Sequence, residues 1–210
     1  MGEGTEVINI GKHIVSCGSA TDADFPSMFK GRKARVFYSD PPWSDGNLNY
    51  WATLCKKQAG NEVMAIKYND LLEIVKRVIK DHVDGYIFLE IGIKAQEKVE
   101  QLLNSFLFNV KPHETLYRSG SKMLPNITFS ATTASHYKPF SEKLTGMSGY
   151  PITRLCVAEC GCPDGLVVDP FCGMGYTAQA AIDCGMSFIG NELNRTRLEK
   201  TIKRLKTDAN

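Results

Sequence analysis

The sequence has no apolar run approaching the roughly 18 residues that a membrane-spanning helix needs, and residues 1–9 show no basic segment leading into a long apolar core. Membrane spans and a secretory leader are therefore not expected, and the chain reads as a soluble, cytoplasmic protein. Charge of one sign is also lacking: the formal net charge is +2 and the pI is near 8.1. That balance neither demands nor excludes a polyanionic partner, because a local basic face can sit on a nearly neutral protein. The seven cysteines, at positions 17, 55, 156, 160, 162, 172 and 184, are odd in number and sit mostly in apolar runs. They read as reduced thiols. Cys156, Cys160 and Cys162 are close in sequence, but no second Cys/His pair at ligand spacing completes a tetrahedral zinc site, so no metal is expected. No internal repeat is present. What remains is a 210-residue chain, 43% apolar, of a size that suits one globular domain with a substantial core.

Short β-rich runs alternate with amphipathic helical patterns, which predicts an α/β domain with a mostly parallel sheet. The strand candidates are seven: 13–17, 34–39, 85–90, 115–117, 126–130, 166–168 and 187–190. Leu71, Leu72, Val75, Val78, Ile79 and Val83 recur at helical spacing behind a cap at Asn69 or Asp70. Further helices are expected over Val99–Phe106, Thr177–Cys184 and Arg195–Lys206, the last strongly basic. Residues 131–149, rich in Thr, Ser and Gly, read as a surface loop or small insert.

Two segments at strand ends carry chemistry. Asp169-Pro-Phe-Cys-Gly-Met-Gly175 follows the strand 166–168 and opens a helix at Tyr176-Thr177. Glycines at a strand-to-helix turn let the backbone approach a nucleotide-like cofactor, although any tight turn can use them. Glu192 ends the next strand, about 20 residues on, where a ribose diol needs an acceptor; its bland alternative is a solvated residue capping the following helix. Asp40-Pro41-Pro42-Trp43 follows the strand 34–39. The two prolines hold an extended turn, so that the Asp40 carboxylate and the Pro41 carbonyl can converge on one amino group. Trp43 adds a flat surface on which a base can stack. The bland alternative is a Pro-rich turn with a half-buried Trp.

Together, Asp-Pro-Pro-Trp at 40–43, Asp-Pro-Phe-Cys-Gly-Met-Gly at 169–175 and Gly-Asn-Glu-Leu-Asn at 190–194 resemble the methyltransferases that modify the exocyclic amine of adenine (N6) or cytosine (N4). The order of the motifs is similar to the permuted beta class of DNA methyltransferases from bacteria and their phages. The resemblance implies a Rossmann-like fold with a seven-stranded sheet and helices on both faces, and S-adenosyl-L-methionine as cofactor. Its catalytic residues are then Asp40, Pro41, Pro42 and Trp43. The cofactor falls to Ser19, Asp40, Asp169, Phe171, Cys172, Gly173, Gly175, Tyr176, Thr177, Glu192 and Asn194. Ser19 stands where the family carries an acid, so the cofactor's adenine is held by Ser19 or Asp22 or that contact is lost, and Tyr150 replaces the usual Lys of the helix before the glycine turn. Only 131–149 fills the place of a target-recognition domain, so the chain reads as a bare catalytic domain over 1–210. Specificity is then short or absent, or supplied by a second subunit or by a flexible loop at 43–60; a homodimer is the alternative assembly. Lys138 and Lys143 are the expected phosphate contacts. The implied substrate is DNA and the implied base adenine, because the tetrapeptide opens with Asp where cytosine enzymes more often carry Ser. Cytosine and RNA stand as alternatives, as does a catalytically silent partner subunit, against which the intact tetrapeptide argues.

Overall fold

The computed structural model describes residues 5–59 and 66–208. Its strands are β1 (Glu6–Ile10), β2 (His13–Cys17), β3 (Ala34–Ser39), β4 (Val83–Gly92), β5 (Phe108–Ser119), β6 (Lys122–Thr132), β7 (Leu166–Asp169) and β8 (Ser187–Glu192). The helices are α1 (Phe25–Phe29), α2 (Asp45–Ala59), α3 (Tyr68–His82), α4 (Gln96–Asn104), α5 (Tyr150–Cys160), α6 (Tyr176–Asp183) and α7 (Arg195–Asp208). All the strands join one sheet in the order β1-β2-β8-β7-β3-β4-β6-β5.

The sheet has eight strands rather than the expected seven. The extra one, β1, is an edge strand turned back on β2 through Gly11-Lys12, with Gly11 at φ 54°. Most of its residues stay partly exposed, so no apolar alternation marked it. The five central strands, β2-β8-β7-β3-β4, run parallel, and antiparallel pairs close both edges. The sheet is therefore mixed around a parallel centre.

Helices pack on both faces. One face buries Leu71, Leu72, Val75, Val78 and Ile79 of α3 together with Phe37, Leu89 and Phe129. Burying one such aliphatic side chain stabilises the fold by about 1.5–3 kcal/mol, which outweighs the modest helix propensity of the β-branched residues in α3. The cap expected at Asn69 or Asp70 comes from elsewhere: the Tyr68 N–H donates to Asp45 Oδ1 of α2 at 2.7 Å. Val83, counted with this helix by its spacing, opens β4 instead. The opposite face packs α5, α6 and α7 against Val36, Tyr38, Phe88 and Phe188.

Two further expectations change. Residues 43–60 are not an open loop, because 45–59 form α2, capped where the Asn47 N–H donates to Ser44 Oγ at 3.2 Å; Gly60 lies outside the described residues. Of 131–149, Ala131 and Thr132 belong to β6 and Tyr150 begins α5. The connecting loop then runs from the amino end of the sheet, where the Thr133 N–H bonds the Gly85 carbonyl, to its carboxyl end, where Ser148 bridges Leu116.

The strand order reverses between β3 and β7. From β3 the chain proceeds outward to β4, and from β7 it proceeds the other way to β8. The connections leave on opposite faces at this point and open a crevice at the carboxyl ends, the usual ligand position in an open α/β sheet. Both chemistry-bearing turns follow these two strands.

Candidate active site

The turn after β7 is braced from within. Gly173 and Gly175 adopt φ 55° and 83°, a left-handed region that side chains rarely enter. A Cβ on Gly173 would lie 2.5 Å from Nη2 of Arg197, and one on Gly175 2.8 Å from Oγ1 of Thr201. Asp169 accepts from the Ser39 hydroxyl at 2.8 Å, the Thr177 hydroxyl at 2.6 Å and the Phe171 N–H at 3.0 Å. Burial pushes its carboxyl up to about 7 against these donors. Glu192 accepts from the N–H groups of Gly173 and Asn194, each at 2.8 Å; burial raises its pKa while those amides and Arg197 oppose the rise.

The turn after β3 is more open. Asp40 faces solvent within a cavity and accepts from Nε1 of Trp43 at 2.9 Å. Trp43 packs over Gly92 and meets the ring of Tyr117 edge-on, with centroids 4.6 Å apart. Because β3 and β4 pair in parallel up to Ser39 and Leu89, Asp40 and Glu90 stand side by side just beyond. Glu90 is 5% exposed. It accepts from the Tyr38 hydroxyl at 2.5 Å and from Asn126 Nδ2 at 3.2 Å. Enclosure by the cavity walls, then the charge of Glu90, push the Asp40 carboxyl up to about 8, opposed by the Trp43 hydrogen bond and by Arg197.

Two cavities flank Asp40. One, of about 280 Å3, is lined by Ser19, Pro41, Pro42, Trp43, Trp51 and Glu192 among others. The other, of about 710 Å3, is lined by Glu90, Asp169, Cys172, Gly173, Tyr176 and Thr177 with the hairpin residues Arg118, Gly120 and Met123. The second lies within the range of roughly 300–1,000 Å3 usual for small-ligand sites. Asp40, Tyr117, Phe171 and Arg197 line both and form the partition between them. Arg197 stacks on Trp51 at 4.2 Å and has a buried Nε without a partner among the described residues.

Most of the residues picked from sequence converge here. Asn194 does not line either cavity: it is buried, bonds Gln58 of α2 at 2.6 Å, and accepts from the Arg197 N–H at the start of α7. Asp22 is exposed and also lines neither. Lys138 and Lys143 are likewise absent from both walls. Lys138 follows Tyr137, which bonds Asp84 and lies under Arg35 at the amino end of the sheet, the end opposite the crevice. Tyr150 donates its hydroxyl to Asp183 and lines the larger cavity. Glu90, Tyr117, Arg197 and Trp51 were not singled out. Glu90 had a usable signal, an acid ending a predicted parallel strand; the other three are placed by topology alone.

Comparisons with known proteins bear on the half of the site around the glycine turn. Residues 149–204 match the DNA methylase family model. The matched segment holds α5, the glycine turn and Glu192, and excludes the tetrapeptide. Among solved structures, M1.HpyAVI superposes with a TM-score of 0.63 at 17% identity, over 91% of this chain and 97% of that one. TTHA0409 from Thermus thermophilus gives 0.63 at 15% identity, over 93% and 94%. PvuII DNA methyltransferase, cytosine-N4-specific, gives 0.62 at 12% identity, over 90% and 85%. No curated protein sequence matches. At these identities the likeness is one of architecture: the chain has the DNA methyltransferase fold. Among the described residues no helix is long and apolar enough to cross a membrane.

Proposed function

We propose that the chain is an S-adenosylmethionine-dependent methyltransferase acting on the exocyclic amino group of a DNA base, adenine N6 in the first instance. The observation that carries this reading is the meeting of two motifs from opposite ends of the sequence. Asp40 after β3 and the glycine turn after β7 share one cavity at the point where strand order reverses.

The residues present suit the cofactor. The space that a Cβ on Gly173 would fill lies beside Arg197, whose buried Nε has no partner among the described residues. Glu192 keeps carboxylate lone pairs beyond the two amides it accepts, suited to ribose hydroxyls, and Ser19 lines the same cavity. Phe171, Gly173, Thr177 and Asp169 are grouped for the amino-acid portion. Bound there, the cofactor supplies a methyl group on a sulfonium, already activated for displacement, so no metal is required.

The protein's task is to position the amine. An exocyclic amine is a weak nucleophile because its lone pair delocalises into the ring. Accepting its N–H groups at Asp40 and at the Pro41 carbonyl localises density on nitrogen. Asp40 must then be ionised, and the carboxylate oxygen that the Trp43 indole does not hold is open to the amine. Trp43, whose ring meets Tyr117 edge-on, is the stacking surface for the base. Extrusion of a paired base costs a few kcal/mol, and stacking returns roughly 1–3 kcal/mol.

Incubating the purified protein with labelled S-adenosylmethionine and DNA or RNA, followed by digestion and mass spectrometry of the nucleosides, tests the reading. N6-methyladenine from DNA is expected. N4-methylcytosine would keep the site and correct the base, methylation confined to RNA would correct the polymer, and no methylated base amine would overturn the proposal.

A further inference from the structure

The β5–β6 hairpin reaches past the sheet that supports it. β6 pairs with β4 as far as Asn126 opposite Gly92. Beyond that point the pairs Leu116–Pro125, Tyr117–Leu124, Arg118–Met123 and Ser119–Lys122 extend past β4, with Leu116 held at the stem by Met147 and Ser148. Four residues of strand extend about 13 Å, and they do so at the carboxyl end, over the crevice. The stem is braced: the Gly146 N–H bonds the Glu114 carbonyl at 3.3 Å, and the Leu116 N–H bonds the Met147 carbonyl at 2.8 Å. Tyr117 holds the tip against Trp43.

The tip is cationic and unneutralised. From Thr115 to Ser141 the sequence contains no Asp or Glu. Arg118 and Lys122 are exposed, and among the described residues neither pairs with a carboxylate. Between them stands Met123, 43% exposed and part of the cavity wall. The far rim is also basic, since Lys200 and Arg204 of α7 reach Met174 of the glycine turn, itself a residue of the same wall.

We propose that this hairpin is the arm that seats duplex DNA across the cavity mouth, with Arg118 and Lys122 on phosphates and Met123 entering the base stack beside the extruded nucleotide. The assignment rests on the proposed function and names the surface through which it meets its substrate. Basic side chains from the hairpin and from α7 border the wall of one cavity, which suits a polyanion laid across its mouth. An apolar side chain at the end of a stiff two-stranded arm suits a wedge, the way unstacked steps are commonly held open. Lys138, near the opposite end of the sheet, is outside this footprint.

Binding of a short labelled duplex, measured over a salt series, separates the possibilities. Each phosphate contact contributes about 0.9 to the slope of log affinity against log salt. Arg118→Ala with Lys122→Ala should therefore weaken binding about tenfold or more at low salt and reduce the slope by about 2, while the melting midpoint stays put. Charge reversal at both positions should weaken it further. Lys138→Ala with Lys143→Ala should change it less than twofold. Met123→Ala should lower methyl transfer to the duplex about tenfold and to the single strand much less. An unchanged slope in both hairpin variants, a larger effect at Lys138 and Lys143, or tighter wild-type binding to single strands than to duplex would each overturn the assignment. The binding arm needs no turnover, so a wild type that binds the duplex through Arg118 and Lys122 but transfers no methyl group would uphold the docking surface and overturn the proposed reaction.

Discussion

The turns after β7 and β3 end neighbouring parallel strands, yet they are built on opposite principles. The glycine turn is saturated: Asp169 accepts three hydrogen bonds, Glu192 accepts two, and two glycines hold a left-handed backbone that side chains rarely adopt. The tetrapeptide is under-satisfied. Its acid meets one donor, from its own Trp43, and stands beside a second acid that the protein fully buries. A saturated turn holds a shape, and an under-satisfied one is poised for chemistry, because a ligand's donors complete it.

The sharpest way to break this contrast is Asp40→Ala. Transfer should fall by about three orders of magnitude or more, the scale of removing a group that orients the reaction, while cofactor affinity measured by calorimetry changes severalfold at most. Wild-type transfer by this variant would place the active site elsewhere. Gly173→Val should act in reverse, weakening cofactor binding measured by calorimetry, because a β-branched residue is strained at φ 55° and its Cβ displaces the Arg197 guanidinium from the cavity wall. Trp43→Ala should cost about 1–3 kcal/mol in transfer to duplex DNA, roughly five- to 150-fold, with a smaller deficit on single strands and cofactor affinity retained. An equal loss on both substrates would show that Trp43 supports the fold rather than the base.

Titration sharpens the comparison further. The acceptor role requires ionised Asp40, whose pKa is pushed up to about 8. Transfer should therefore rise with pH across neutrality, and Glu90→Gln, by removing the neighbouring charge, should move the rise to lower pH. A profile unmoved by Glu90→Gln would separate the two carboxyls. The smallest effect is on stability. Asp169 has a folded pKa raised to about 7 from the ordinary 3.8, so its contribution is present below about 4 and lost as pH rises through about 7. His113, pushed down to about 4 by burial, acts oppositely over part of that range. The signature is therefore the difference between wild type and Asp169→Asn: melting curves should show the wild type losing ground to the variant as pH increases.

Much of the framework was legible because burial on two faces leaves continuous apolar runs. β3, β7 and β8 read that way, and the spacing of Leu71 to Ile79 named α3. The strand β1 was not legible, since Glu6-Val-Ile-Asn-Ile10 sits on an edge with half its surface in water. Nor was α2, whose Gly46, Asn47 and Asn49 resemble a loop until Ser44 caps it and Leu48 and Ala52 find the core.

By itself, the sequence determined both turns. Their chemistry is local: prolines restrict φ beside Asp40, and glycines adopt the left-handed conformations at 173 and 175 without the strain a side chain adds. Only the tertiary structure decided what stands around them. Glu90, Tyr117 and Arg197 reach the cavity because β4, the β5–β6 hairpin and α7 end at the same edge of the sheet, and Lys138 is carried to the other edge because its loop starts where β6 finishes. Such neighbours are set by strand order and register, which arise from contacts among residues far apart in the chain and leave no mark on the residues nearby in sequence.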